Sequence, residues 1–353
     1  MQKNLPLKSS LADFVQETLI HCATQGASDI HFEPSFNELK IRYRKDGFFY
    51  NLSPLPLILS DKVLAHIKSI AHLNVAERNK PQDGRISLQN HTSKNLLNFR
   101  VSTIPAQFGE TLVLRVLNDA SRNLTLDQLG MDFQLIENVR KLAHLPHGLF
   151  IVTGPTGSGK TTTLYSLLQD IYSPNKKYLT VEDPVEYILP GISQIAINTG
   201  IGLTFSKVLR AFLRHDPDVI MIGEIRDLET AQIAIQASLT GHLVFTTLHT
   251  NNAASAVIRL LDLGIPSSLL ASSLQCILAQ RLIPKPCIHC HKNSIFPCPQ
   301  CNNSGYQGRT GQFELMSISP TLRQIISKNN SVQIIESQAI SEGMISLGNA
   351  RYS

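Results

Sequence analysis

A glycine-rich stretch, Gly154–Thr163, has the residue types and spacing of a phosphate-binding loop. Its residues Gly-Pro-Thr-Gly-Ser-Gly-Lys-Thr-Thr-Thr satisfy the pattern G-x-x-x-x-G-K-[ST]. Glycines in such a loop let successive backbone N–H groups turn toward a phosphate, and the following helix adds its positive N-terminus. We expect Lys160 to reach the β- and γ-phosphates and the Thr161 hydroxyl to hold Mg²⁺. The predicted nucleotide-binding residues are Gly154, Pro155, Thr156, Gly157, Ser158, Gly159, Lys160, Thr161 and Thr162.

The segments on either side of this loop are predicted to be a strand and a helix, as a phosphate site requires. Residues 149–153 form a short apolar run of the buried-strand type. Residues 160–172 carry leucine and isoleucine at helical spacing. An ordinary glycine turn needs neither flank, whereas a phosphate cradle needs a strand, a loop and a helix in this order. The sequence therefore predicts a nucleotide-binding protein.

Carboxylates follow two other predicted strands of this region. Glu224 comes after the apolar residues 219–222, where P-loop enzymes keep a carboxylate near Mg²⁺. Because Glu is one methylene longer than the usual Asp, we expect a bridging water rather than direct ligation. Residues 182–186, Glu-Asp-Pro-Val-Glu, end another strand with three carboxylates, one of which can position and deprotonate an attacking water. Taken alone, the cluster is equally compatible with a solvated acidic turn.

Two histidines bracket the apolar residues 243–247. A single histidine is more often structural than chemical. His242 and His249 flank one strand of a predicted P-loop domain, and this placement favours a role in the site.

Four of the six cysteines fall in one short segment that is poor in apolar residues. Cys287-x-x-Cys290 and Cys298-x-x-Cys301 have the spacing of a tetrahedral Zn²⁺ site with four thiolates. A metal would supply the organising energy that packing cannot supply there. Unrelated free thiols or a redox pair are the alternative.

Composition and length favour a globular protein of two domains. The chain has 353 residues, 42% hydrophobic and 17% charged, with a formal charge of +5. We see no basic block typical of nucleic-acid binding, no apolar run of membrane-spanning length and no signal-peptide core near Met1. We therefore expect a cytoplasmic protein that binds no nucleic acid.

The periodicity predicts an α/β chain with two different halves. Residues 1–118 mix helices and half-buried strands in an α+β domain, and residues 119–130 are assigned as a linker. Residues 131–353 alternate strands and helices, as a doubly wound parallel sheet does. Ligands bind beyond the carboxyl ends of such strands, where the acids are found. The predicted helices of this half include residues 228–239, 252–263 and 268–282.

The motifs occur in the order found in one protein family. The phosphate loop, the Glu-Asp-Pro-Val-Glu box, residues 221–227 and residues 241–250 together resemble the secretion ATPases of type II secretion, type IV pilus assembly and competence systems. The first half agrees at residues 28–34, 42–47 and 81–85. The resemblance extends from about Ser28 to about Gly348.

This resemblance implies a fold and an assembly. It implies a PAS-like N-terminal domain joined to a RecA-like P-loop ATPase domain with a zinc-binding tetracysteine insert at residues 287–301. It further implies a ring, usually hexameric, that is held beneath the inner membrane by a platform protein. Rotation between the domains on ATP hydrolysis would drive pilin subunits into a filament.

The resemblance also implies roles for six residues outside the loop. Glu186 resembles the water-activating base and Glu224 the Mg²⁺-associated carboxylate. His242 and His249 resemble residues that sense the γ-phosphate and the domain position. Arg100 and Arg115 resemble first-domain arginines that approach the phosphates, the alternative being that both merely edge their strands.

Several functional alternatives stay open at this stage. The tetracysteine insert is typical of assembly ATPases and generally absent from retraction ATPases of the pilus. The short gap between the cysteine pairs, a start directly at the first domain and an early end are compatible with a compact competence-type member, or with an incomplete or degenerate paralogue. A non-hydrolysing ring scaffold or regulator and a nucleic-acid-handling ATPase with a zinc ribbon are the rivals. Intact Lys160, Glu186 and Glu224 argue against the first rival, and the lack of a basic, aromatic stripe argues against the second.

Overall fold

A computed structural model describes residues 10–89, 96–117, 124–293, 298, 300–301, 303–328 and 331–348, with the backbone alone at 291–293. The chain divides into two compact units, residues 1–121 and 122–353, and each is described by itself. Residues 118–123, which include the start of the predicted linker, lie outside the described residues.

Unit 1 is an antiparallel sheet with two helices on one face. The elements are α1 Leu11–Thr24, β1 Asp29–Pro34, β2 Glu38–Lys45, β3 Phe48–Asn51, β4 Leu55–Pro56, α2 Ser60–Ile70, β5 Gln82–Gln89, β6 Leu96–Ala106 and β7 Gly109–Leu117. The strands follow the order β3-β2-β1-β7-β6-β5, and β4 pairs with β2. The inward side chains of the strands, such as Phe32 and Phe99, pack with Phe14, Leu19 and Ile67 of the helices in one core.

Unit 2 is a seven-stranded sheet covered by helices on both faces. The elements are α3 Phe133–Ala143, β8 Gly148–Thr153, α4 Lys160–Asp170, β9 Tyr178–Glu182, β10 Ser193–Ala196, α5 Phe205–Phe212, β11 Val219–Ile222, α6 Leu228–Leu239, β12 Leu243–Leu248, α7 Ala253–Asp262, α8 Ser267–Ser273, β13 Leu274–Pro286, α9 Ile288–Asn293, β14 Tyr306–Ser317, α10 Pro320–Ser327 and α11 Val332–Ser341. The strand order is β10-β9-β11-β12-β8-β13-β14, and all pairs are parallel except β13 with β14.

The central strands of this sheet are buried over their whole length. Every residue of β8, β9, β11 and β12 is buried, as expected for strands with helices on both sides. One core holds α3 and α4 against one face, and a second core holds the later helices against the other. The carboxyl ends of these four strands therefore meet at one edge of the sheet, where the phosphate loop begins.

One predicted helix, residues 268–282, is wrong. The structure has the short helix α8 followed by β13, which begins at Leu274. Residues 276–280 of β13 are all buried, because alternate side chains of this strand pack into the cores on the two faces of the sheet. Continuous apolar runs lack the alternation that distinguishes a strand, so periodicity alone assigned this one to a helix.

Among the described residues, no helix combines the length and the hydropathy needed to span a membrane.

Candidate nucleotide site

The phosphate loop connects β8 to α4 in a conformation that requires glycine. A Cβ on Gly154 would lie 2.3 Å from the carbonyl oxygen of Gln280 and 2.6 Å from Ser158 Oγ, so no larger residue fits. Gly159 adopts φ +88° at the N-cap of α4, in the left-handed region that favours glycine. The sequence therefore folds here into a tight turn that leads into a helix N-terminus, the geometry that binds phosphate.

Lys160 is buried at the start of α4 and is bound to the loop itself. Its Nζ donates to the carbonyl oxygens of Gly154 at 2.8 Å and of Pro155 at 3.2 Å. Burial lowers the pKa of Lys160, and the nearby Glu224 carboxylate partly opposes that effect. A buried ammonium that is held by loop carbonyls can exchange these partners for phosphate oxygens of a bound nucleotide. Thr161 is exposed and Thr162 half-buried in the same turn.

A glutamine that the sequence analysis missed supports the loop from behind. Gln280 of β13 is buried, and its Nε2 donates to the carbonyl oxygen of Ser158 at 2.6 Å. The only sequence signal was a polar residue within an apolar run.

Glu224 and His249 lie together beside the loop, at the ends of β11 and β12. His249 Nδ1 is 3.4 Å from Lys160 Nζ, and His249 Nε2 is 3.2 Å from Glu224 Oε2. Arg226, which the sequence analysis did not single out, binds Glu224 Oε1 at 2.5 Å. The loop lysine, one histidine and one carboxylate thus form a connected cluster of polar side chains.

The three carboxylates of the acidic box, residues 182–186 at the end of β9, differ in burial. Glu182 is buried, and burial raises its pKa. Asp183 and Glu186 are exposed. The backbone N–H of Glu186 donates to the hydroxyl of Tyr165 on α4 at 3.3 Å. Glu186 therefore offers an accessible carboxylate on a loop that is tied to the helix of the phosphate site.

His242 lies at the opposite edge of the sheet. It precedes β12, and its Nδ1 lies 3.0 Å from the carbonyl oxygen of Ala237, which accepts a hydrogen bond from the Nδ1–H tautomer. A six-residue strand separates it from His249, which corresponds to about 20 Å. The structure therefore brings His249 to the phosphate loop but not His242 of the same unit, and the sensing role of His242 stays a prediction.

The predicted arginines of unit 1 belong to a longer row across its sheet. Arg100 and Arg115 are direct partners on β6 and β7. Arg100 also pairs with Arg85 on β5. On the other side, Arg115 pairs with Asp29 on β1, and Asp29 pairs with Arg44 on β2. Arg115 Nε binds Asp29 Oδ1 at 3.1 Å. Directly paired residues project from the same face of a sheet, so this face presents four arginines against one aspartate in a line. Arg85 and Arg44 were missed because register is not readable from the sequence.

The four predicted cysteines converge at the tip of the β13–β14 hairpin. Their sulfurs all lie within 4.8 Å of one another, with Cys290–Cys301 at 3.6 Å and Cys287–Cys298 at 3.9 Å. Four sulfurs at about 2.3 Å from one Zn²⁺ stand about 3.8 Å apart, so the donor set fits this ion. Cys290 is half-buried and the other three are buried. Most of the segment between the two pairs lies outside the described residues.

The chain is similar in sequence to proteins of one known family. The family of type II/IV secretion system proteins matches residues 6–350. The chain is 47% identical over 338 residues to the type II secretion system protein HxcR of Pseudomonas aeruginosa, covering 94% of this chain and 72% of that protein. It is 42% identical over 355 residues to the type IV pilus assembly ATPase PilB of the same organism, covering 94% and 62%.

A solved structure agrees with these relatives. The pilus retraction motor PilT with bound ADP superposes with a TM-score of 0.67 at 28% identity, covering 95% of each chain. The match extends over both units of this chain. From the sequence motifs, the geometry of the loop and these similarities, the chain belongs to the type II/IV secretion system protein family.

Proposed function

We propose that this chain is a Mg²⁺-dependent ATPase that converts ATP hydrolysis into mechanical work for the assembly of a type IV pilus, a type II secretion pseudopilus or a competence filament. The main support for this proposal is the cluster of polar side chains beside the phosphate loop, in which Lys160, His249 and Glu224 lie in contact. The similarity to HxcR and PilB, proteins named for these systems, gives the biological direction.

Each residue of the site has a defined task in this proposal. Lys160 and the loop N–H groups bind the β- and γ-phosphates. The Thr161 hydroxyl and the Glu224 carboxylate would hold Mg²⁺, which would supply positive charge opposite the transferring phosphoryl group. Glu186 accepts a proton from the attacking water. His249 connects Lys160 to Glu224 and so responds when the lysine leaves the loop carbonyls for phosphate.

The domain organisation gives the hydrolysis a mechanical output. In this proposal residues 1–118 form a PAS-like domain, residues 119–130 a linker, and residues 131–353 a RecA-like domain. The arginine row of the first domain would supply fixed cations to the phosphates, and His242 would sense the domain position. Hydrolysis then depends on domain closure. The active form would be a cytoplasmic hexameric ring that is held at the inner membrane by a platform protein.

The cysteine cluster supports assembly over retraction. The chain is similar both to an assembly ATPase and to the retraction motor PilT, but the tetracysteine insert is a feature of assembly-type members. The four sulfurs lie within 4.8 Å of one another, which is compatible with one Zn²⁺ held by four thiolates. A structural zinc would fix the hairpin tip, since four thiolates leave no open coordination position.

Replacing Lys160 with Ala is expected to abolish nucleotide binding, because the ammonium that meets the phosphates is lost. Lys207→Ala is a matched control: Lys207 also lies in the first turn of a helix and donates to a preceding loop carbonyl, that of Gly202, at 2.8 Å. Fluorescent-nucleotide titration of both variants tests the assignment. Equal binding by Lys160→Ala and the wild type would contradict it.

Protein purified without added metal is expected to contain about one Zn²⁺ per chain, as a site of four thiolates implies. Cys298→Ser with Cys301→Ser should release the metal and make residues 287–305 sensitive to protease, because binding and local folding are one event. Cys22→Ala, which removes a buried cysteine of unit 1, should keep the metal. Elemental analysis and limited proteolysis measure both effects. Metal-free protein with a protease-resistant hairpin tip would contradict the zinc site.

A further inference from the structure

The first residue of the acidic box is a buried carboxylate that accepts hydrogen bonds from three donors, one of them on the helix of the phosphate loop. Glu182 is 3% exposed. Its Oε2 accepts from the hydroxyl of Tyr165, and its Oε1 accepts from Thr180 Oγ1 at 2.5 Å and from Gln194 Nε2 at 3.2 Å. Tyr165 is fully buried in the second turn of α4, and Gln194 belongs to β10.

The same side chains hold the backbone of the loop that carries Glu186. The hydroxyl of Tyr165 accepts from the backbone N–H of Glu186 at 3.3 Å. Gln194 Nε2 donates to the carbonyl oxygen of Tyr187 at 3.1 Å, and Gln194 Oε1 accepts from the N–H of Leu189 at 2.6 Å. The rings of Tyr165 and Tyr187 meet edge to face, with centroids 4.6 Å apart. Residues 186–189 are thus fixed by two side chains that also bind the buried carboxylate.

Stability alone is a weak reason for such a network. A buried charge is costly to desolvate, and well-packed apolar residues of similar volume are often as stable or more so. A fully satisfied polar network instead fixes one geometry. The geometry fixed here is the position of the Glu186 loop relative to α4, the helix that begins with Lys160.

We propose that Tyr165, Glu182 and Gln194 are positioning residues for hydrolysis. They hold the Glu186 loop at the distance from the phosphate loop at which the Glu186 carboxylate meets the attacking water. This inference rests on the proposed function of Glu186 as the base. The three residues act through Glu186 and need not touch the nucleotide.

Tyr165→Phe is expected to lower kcat by about 10- to 100-fold, because misplacing a catalytic group by about 1 Å has an effect of this size. The KM for ATP and the affinity for ADP should stay within about threefold of wild type, since the phosphate loop itself is unchanged. Tyr178→Phe is the matched control. Tyr178 is also buried, and its hydroxyl donates to the carbonyl oxygen of Ile171 at 2.6 Å and accepts from Ser173 N–H at 3.1 Å. It lies at the amino end of β9, away from the loop, so kcat should be retained.

Thermal unfolding separates positioning from a general loss of structure. Both Tyr→Phe variants lose buried hydrogen bonds and should melt at lower temperature than wild type. Only Tyr165→Phe should lose kcat. An equal loss of kcat in both variants would overturn the inference in favour of a purely structural role. If Tyr165→Phe does not fold, Gln194→Met removes the contacts to Tyr187 and Leu189 from a half-buried position and should give the same loss of kcat.

Combination with Glu186→Gln distinguishes failure of this inference from failure of the proposed function. If the network acts through Glu186, Tyr165→Phe should lower kcat no further in the Glu186→Gln background. A full additional loss there would overturn the inference, because the two residues would then act independently. Unchanged turnover in Glu186→Gln alone would instead refute the base assignment. Loss in Glu186→Gln with none in Tyr165→Phe would overturn only the positioning role.

Discussion

Replacing Glu186 with Gln is expected to lower ATP turnover by about 100- to 10,000-fold while ATP binding persists. An amide cannot accept the proton of the attacking water. In the proposed function the phosphates are bound by the loop and by Lys160, which the substitution does not change. Glu186 is exposed at the end of the acidic box, so the change leaves the core intact. Steady-state hydrolysis and nucleotide titration on the same preparation measure the two effects.

Asp183→Asn provides the control for this experiment, because Asp183 is an exposed carboxylate of the same loop. It should retain turnover within a few-fold of the wild type. If Asp183→Asn loses turnover and Glu186→Gln does not, the base has been assigned to the wrong carboxylate of the box.

Replacing Arg100 or Arg115 with Ala is expected to lower turnover by about 1,000-fold, the effect of losing a cation that stabilises charge on the transferring phosphoryl group. Both side chains are exposed on the arginine row of unit 1, with 47% and 62% of their surface accessible. Exposed ion pairs contribute little to stability, so the melting temperature should change by no more than about 4 °C. Hydrolysis and thermal unfolding of each variant test this.

Arg78→Ala is the matched control for the arginines. Arg78 is an exposed arginine of unit 1 that pairs with Asp61 at 2.9 Å and lies outside the row. Its loss should affect neither turnover nor folding. Loss of melting cooperativity in the Arg100 and Arg115 variants would show that these residues only support their strands.

Local sequence patterns predicted the centre of the candidate site. The phosphate loop, its strand and its helix were readable because the glycines, Lys160 and the flanking periodicity are contiguous in the chain. Convergence of the four cysteines was readable for the same reason. Features that depend on pairing between distant segments were not, and β13 was assigned to a helix because its apolar run carries no alternation.

The supporting residues of the site could not be predicted, because their partners are distant in sequence. Gln280 contacts Ser158 because β13 lies beside β8 in the sheet of unit 2. Tyr165 contacts Glu182 because α4 packs on the same sheet. His242 and His249 are equivalent in the sequence, as both bracket one strand. A parallel sheet makes them different, because only the carboxyl end of β12 lies at the phosphate loop.

Phosphate release from ATP by the purified chain, measured with Mg²⁺ and with Mg²⁺ chelated, decides whether the chain is a Mg²⁺-dependent ATPase. We expect steady-state turnover that needs Mg²⁺ and that disappears in Lys160→Ala. Tight ATP binding by the wild-type chain with no release above the level of Lys160→Ala would contradict it, and would identify a ring scaffold or regulator instead.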